Sequence, residues 1–386
     1  MLTPEQQLAK TLDAMGGDVL ALSLPVRARI PEFLELRRMY LHGGMEIMAR
    51  RIQLYNDSWV GVLEYLANYI GQSYVQSYSG VLKAQYCMIR HDVCKGSTYT
   101  LNENISLQLA ETKIKKNIPV KFLRPPMASC YLEFDKPENR AKSDHKMDFG
   151  TGYFICEGCY IQETRHTSGR ALPRNVIDNF EIDPSQPVRE MRITFTESPV
   201  GRHPSPRLDT CHYIDFYIQD EEESVLALVD RAVSAISNAK PFEERGQFVK
   251  GLTEALNFVA KVLFYIYVGR KETKLFRPFN EATELAKKIE GVADKKKRKL
   301  EQRLARTYDR IILGPEIYVP MEKRPETAGT KGKQGFHYRS AYFGVRWRGT
   351  GQAKEAVLVH VDSYVVNPPS LTGDNAPIRA KEYEVR

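Results

Sequence analysis

The chain is poor in the residues that staple small proteins together. Of 386 residues, 6 are Cys and 2 are Trp. Cys87, Cys94, Cys130, Cys156, Cys159 and Cys211 are too scattered for a disulfide scaffold, and reduced thiols are expected. The one close pair, Cys156-Glu157-Gly158-Cys159, has no second pair to close a four-ligand zinc site. No metal and no cofactor is expected. No unbroken apolar run reaches about 18 residues, so no spanning helix and no membrane partner is expected. The first residues lack the basic and apolar regions of a secretion signal, which makes the cytoplasm the expected location. Also missing are G-x-G-x-x-G, H-E-x-x-H and G-x-S-x-G, and with them the common dinucleotide, zinc-protease and serine-hydrolase readings. "GTGQAK" at Gly349–Lys354 misses the phosphate-loop spacing. It reads as a hairpin loop, with Gly349 and Gly351 supplying positive φ.

What is present is ordinary globular composition with a basic balance. Hydrophobic residues make up 42% and charged residues 27%, with a formal net charge of +8 and a pI near 9.0. The length suggests two or three domains. The charge favours an anionic partner but says nothing of fold.

Periodicity predicts an α+β chain. Residues 1–96 read as a helical N-terminal region, interrupted at Gly43-Gly44. Leu63, Leu66 and Ile70 share a face, and Tyr65, Tyr69, Tyr74 and Tyr78 are expected on a packed amphipathic face. Residues 97–320 read as an α+β body. Its short β-like runs suggest an antiparallel sheet. In one of them Met191, Ile193 and Phe195 alternate with Arg192, Thr194 and Thr196. Val225, Leu228, Val229, Ala232 and Ile236 form a helical stripe, as do Leu252, Leu256, Val259, Leu263 and Ile266. Glu221–Glu223 precede the first stripe, where a helix dipole favours acids. Residues 280–312 read as a charged helix carrying the basic run Lys295–Lys299. That run is a solvated face or a phosphate-contacting patch. Residues 321–334 read as a flexible linker, 335–367 as a basic β-hairpin and 368–386 as a tail.

The hairpin holds the candidate site. Phe343, Val345 and Trp347 alternate with Tyr342, Arg346 and Arg348, and Val357, Val359 and Val361 with Leu358, His360 and Asp362. An apolar face is expected on the core. Tyr342, Arg346 and Arg348, with His360, are expected on the other face. Basic groups beside an aromatic suit single-stranded nucleic acid, where Arg pairs phosphate and Tyr stacks a base. They suit an acidic peptide as well, and a plain solvated β-face has the same pattern. His337 and His360 are the candidates for acid and base in a metal-independent ribonuclease, with Arg339 or Lys354 on the phosphorane. A non-enzymatic binding protein is the leading reading.

Several motifs in order carry a family resemblance. "RWRGTGQAKEAVLVHVDSYVVNP" resembles the C-terminal signature of a type V-A anti-CRISPR family of phages and plasmids. His337, Arg339, Trp347, Gly349 and Asn367 fall on matching positions. "TYTLNENI", "PPMASCYLEF" and "ALNFVAKVLFYIYVGRKE" resemble upstream family segments in the same order, over about residues 97–368. The family's His-Trp-His stands here as Tyr342-Phe343-Gly344. That change removes the histidines any metal or acid–base role would need and keeps an apolar residue at Phe343. The resemblance implies inhibition of CRISPR immunity. The implied route is recognition of the effector's nascent N-terminal peptide, followed by loss of its mRNA. The implied contacts are His337, Arg339, Tyr342, Arg346, Trp347, Arg348, Gly349 and Lys354, with mRNA or the ribosome as further partners. An RNA-binding regulator of a mobile element is the alternative.

Overall fold

The computed structural model describes residues 24–134, 154–199, 210–237, 242–269, 287–300, 310–314 and 337–366, with short breaks inside these spans. The expected linker at 321–334 and tail at 368–386 lie outside the described residues, as do Lys295, Arg298 and Lys299 of the basic run.

The N-terminal helices are α1 (Gly44–Tyr55), α2 (Trp59–Ile70), α3 (Gln72–Ser77) and α4 (Ser79–Val93), after a single turn at Leu24–Arg27. Gly71, at φ +96°, separates α2 from α3 in a conformation that glycine adopts at no steric cost. Met48, Ile52, Trp59, Val62, Leu66 and Leu82 are buried together. That inner face corrects the expectation for two of the tyrosines: Tyr65 is 47% and Tyr69 63% exposed, while Tyr74 is half-buried and Tyr78 lies outside the described residues. With Val62 and Leu66 turned inward, residues three positions further on flank the core and meet water. The Arg51 guanidinium stacks on Tyr55 and Tyr65, 4.4 and 4.8 Å from the ring centres.

The body follows with β1 (Ser97–Leu101), α5 (Glu103–Glu111), β2 (Lys113–Ile114), β3 (Ser129–Glu133), β4 (Phe154–His166), α6 (Arg174–Asn179), β5 (Val188–Pro199) and β6 (Thr210–Ile218). Then come α7 (Val225–Ser237), α8 (Phe242–Val268), β7 (Arg310–Leu313), β8 (His337–Arg339), β9 (Tyr342–Arg348), β10 (Glu355–Val361) and β11 (Tyr364–Val366). The Asn102 side chain caps α5, accepting from the Ile105 N–H at 2.8 Å.

Six strands form the main sheet in the order β6-β5-β4-β3-β1-β7. It is mixed, where an antiparallel sheet was expected. Strands β3 to β6 are antiparallel, while β1 runs parallel to both β3 and β7. The chain between β1 and β3 includes α5, the kind of crossover a parallel pair requires. Strand β7 also corrects the C-terminal end of the helix expected over 280–312, of which residues 287–290 are helical. Its Arg-Ile-Ile-Leu run is β-branched, stops at Gly314 and adds to the edge of β1.

One face of this sheet meets α7 and α8. Cys130, Leu132, Cys159, Ile161, Ile193 and Phe195 pack there against Val225, Leu228, Leu252, Leu256, Val259 and Leu263. Within α8, Val249–Val268 is long and apolar enough to cross a membrane by length and composition alone. Its buried half belongs to this core.

The other face lies under α4 and is both apolar and polar. Tyr131 and Tyr160 join the helical cluster. The alternation in β5 is observed, but Arg192, Thr194 and Thr196 are as buried as Ile193 and Phe195. Arg192 makes two bonds to Asp215, at 2.5 and 2.8 Å. Glu190 pairs with His166 at 2.8 Å, and the Arg90 guanidinium reaches Glu163 O and Thr164 Oγ1 at 3.2 and 3.1 Å. Burial alone would raise the Glu190 carboxyl. The bond to His166 and the charges of Arg192 and Arg90 outweigh it and hold the group below the usual carboxylate range. Glu221, Glu222 and Glu223 stand just ahead of α7, each in an ion pair, with Arg189, Lys121 and Arg231.

Candidate functional site

The C-terminal strands form a second, three-stranded sheet in the order β10-β9-β2. Register decides its faces, because residues directly opposite share a side. Phe343 lies opposite His360, Val345 opposite Leu358 and Trp347 opposite Ala356. On the other side of β9, Phe343 lies beside Ile114. Phe343, Ala356 and Leu358 are buried in the main core, and the Phe343 ring sits 5.6 Å from Phe264 of α8. This side faces the body.

His360 belongs to that inner side, which corrects its expected place beside Arg346 and Arg348. Its side chain is fully buried, with the ring centre 4.6 Å from Phe343. The alternation pattern is satisfied by either side. The apolar valines of β10 suggested the wrong one, and the cross-strand partner Phe343 settles it. Nδ1 of His360 lies 3.4 Å from Asp362 Oδ1.

The opposite side is the candidate site. Tyr342, Arg346 and Arg348 share it with Val361, Val357 and Glu355 across the hairpin, and Lys113 of β2 lies beside Tyr342. Lys113, Lys115, Arg346 and Arg348 are all exposed. Lys115 Nζ stands 4.6 Å over the Tyr342 ring, a cation–π contact. Gly344 makes the arrangement possible: a Cβ there would come within 3.2 Å of the Tyr342 ring. Two lysines from residues 113–115 thus extend the arginine row of 346–348. Sequence reading missed them, because only the parallel pairing of β2 with β9 brings them near.

The remaining predicted residues scatter. Trp347 is on the inner parity but extends past the core and is 66% exposed. Gly349 turns at φ +95°, as its loop position required, and Gly351 lies outside the described residues. Lys354 is exposed at the start of β10. His337 and Arg339 lie on β8, which pairs with β11 in a separate ladder (His337 opposite Val366, Arg339 opposite Tyr364).

The other motif candidates are core residues. Cys156 and Cys159 flank a bulge in β4, and both face the main core. Burial, then the neighbouring Cys156 and Cys130, push the Cys159 thiol far above its usual range, the opposite of an activated thiolate. Among the described residues no group of three or more His, Cys, Asp or Glu could hold a metal.

Comparison with known proteins places this geometry. The AcrVA2-like model, described as the anti-CRISPR type V subtype A2 family, matches residues 99–368. The chain belongs to that family. The match runs from β1 through β11 and takes in the whole three-stranded sheet, while α1–α4 precede it. A crystal structure of AcrVA2 is similar at 11% identity, with a TM-score of 0.39, covering 86% of this chain and 98% of that one. No curated protein matches. By the family match, the chain is an AcrVA2-like anti-CRISPR protein of type V-A.

Proposed function

We propose that this protein recognises the nascent N-terminal peptide of a type V-A CRISPR effector and promotes loss of the effector's mRNA, in the cytoplasm of the bacterial host. The observation that carries this reading is the cationic outer face of Lys113, Lys115, Arg346 and Arg348 around Tyr342, inside the family-matched segment. Guanidinium groups take carboxylates in paired hydrogen bonds, and a half-buried ring such as Tyr342 adds apolar contact at little entropic cost. Trp347, Gly349 and Lys354 extend the surface at the hairpin tip, with His337 and Arg339 at its entry.

The test is capture of the full-length protein on peptides tiling the effector's N-terminus, at low and at physiological salt. The expected result is sequence-selective binding that survives physiological salt. Arg346→Ala with Arg348→Ala should weaken it by about 2 kcal/mol or more. Binding that tracks salt and ignores peptide sequence would overturn the reading. The same cationic face suits RNA, with Tyr342 on it and Trp347 exposed at the hairpin tip as rings on which bases stack. In that second reading affinity for an unrelated single-stranded RNA falls steeply with salt and owes nothing to an effector peptide. The ribonuclease reading loses support from His360, whose imidazole is fully buried.

A further inference from the structure

We infer that the cleft at the rim of the main sheet, between the Pro125-Pro126 loop and the end of β4, is a receptor for a carboxylate on an apolar stem. The cleft has a volume of about 380 Å³ and is lined by Arg124, Pro125, Met127, Ala128, Glu163 and Arg165. That size is at the small end for ligand pockets, and an apolar wall with a few charged groups is their usual lining. None of these residues belongs to the cationic face of the hairpin.

The walls of the cleft are fixed. Proline locks its own φ, so Pro125 and Pro126 stiffen the loop. Arg189, 4% exposed, ties that loop to the sheet. It donates to Val120 O at 3.1 Å and Leu123 O at 3.0 Å, and to each oxygen of Glu221 at 2.8 Å. It also reaches Glu163 Oε2 at 3.4 Å. Between them these contacts employ every N–H of the guanidinium. On the sheet side, Glu163 N–H donates to Ala128 O at 2.9 Å, and Met127 Sδ accepts the Ser97 N–H at 3.1 Å. A site held in this way costs a ligand little ordering.

Arg124 and Arg165 have donors to spare. Arg124 uses Nε on Lys121 O at 2.9 Å and one terminal nitrogen on Glu221 Oε1 at 3.2 Å, with a third of its side chain exposed. Among the described residues Arg165 is held through Nε alone, 3.1 Å from Glu163 Oε1, and 68% of its side chain is exposed. Its two terminal nitrogens are the open end of a fork that takes a carboxylate in two parallel bonds. The charges around the cleft do not cancel. The guanidinium groups of Arg124, Arg165 and Arg189 meet the carboxylates of Glu163 and Glu221, which leaves one positive charge over. Burial alone would raise the Glu221 carboxyl. The Arg189 bond and the charges of Arg189, Arg124 and Arg165 outweigh it and hold the group below its usual range, so this acid stays ionised at neutral pH. One further carboxylate balances the set. A phosphate monoester, with about two negative charges at neutral pH, overshoots it. Beside the fork, Pro125, Met127 and Ala128 offer apolar contact to the stem that carries the carboxylate.

The experiment is NMR of the full-length protein with isotope-labelled methionine methyl groups. Met127 reports from the wall of the cleft, and the resonance lost in Met127→Leu assigns it. N-acetyl-leucine, a carboxylate on an apolar stem, should shift that resonance saturably. N-acetyl-leucinamide, which lacks the charge, should leave it in place, and inorganic phosphate should bind more weakly. Arg165→Gln and Arg124→Gln should each weaken N-acetyl-leucine about tenfold, the worth of one charge-assisted hydrogen bond. Arg165 stands in water, so its variant should keep the thermal midpoint of the parent protein. A tripeptide ending in free leucine separates two sources of the same chemistry. Tighter binding than N-acetyl-leucine marks a chain end as the ligand and equal binding a free acid, and either supports the site. A Met127 resonance that ignores N-acetyl-leucine, or moves equally with the amide, would overturn the proposal. So would phosphate that binds as tightly, or unchanged affinity in both arginine variants.

Discussion

The two sheets of this protein solve burial differently. The six-stranded sheet is covered on both faces, one by α7 and α8 and the other by α4. Its buried charges are held by partners, as Arg192 is by Asp215 and Glu133 by the Thr100 hydroxyl. The three-stranded sheet is covered on one face and leaves four exposed cations around a half-buried tyrosine on the other. Polar side chains therefore mean different things in the two places. In the large sheet they are structural and removing one is costly. In the small sheet they are available to a partner, and removing one should leave the fold intact.

The sharpest way to break this comparison is Arg192→Ala. It leaves Asp215 and Glu190 buried without their guanidinium and should cost about 3–5 kcal/mol in urea unfolding. A loss below about 1 kcal/mol would show that the layer under α4 is open to water. Acid comes next. The Glu190 and Glu221 carboxyls are held below their usual range. The stability they contribute is present above the unfolded value of about 4.3 and is lost as pH falls through the lower folded values. The urea midpoint should hold from neutral pH down to that range and then drop, and Glu190→Gln should flatten the drop. Gly344→Ala crowds the Tyr342 ring and should cost about 1 kcal/mol, read as a lower thermal midpoint. Smallest is Lys113→Ala with Lys115→Ala. Stability should change by no more than about 0.5 kcal/mol, while the salt dependence of ligand binding becomes shallower.

The same contrast explains what sequence could reveal. Helical stripes such as Leu252, Leu256, Val259 and Leu263 announced their core, because helix period and burial coincide. Alternation in Met191–Thr196 revealed a strand but not that both of its sides are covered, since α4 closes the polar side from more than a hundred residues upstream in the chain. In β10 alternation grouped His360 with Leu358 correctly, yet left open which group faces inward. Only the register with β9 decides that. Arg346 and Arg348 were legible as a basic row because they are neighbours in sequence. Lys113 and Lys115 were not, because a two-residue strand carries almost no pattern of its own. The short Arg310–Leu313 strand was lost in a charged stretch for the same reason.

Tyr99 pairs with Leu132 on one side and Ile311 on the other. During synthesis β1 leaves the ribosome early, yet one of its neighbours is among the last strands made. Until β7 arrives, β1 presents an open parallel edge of the main sheet. Non-local parallel pairing of this kind is slow to form and exposed to misassembly while it waits. Closure of the main sheet therefore waits for the delivery of residues 310–313, long after its other five strands have been translated.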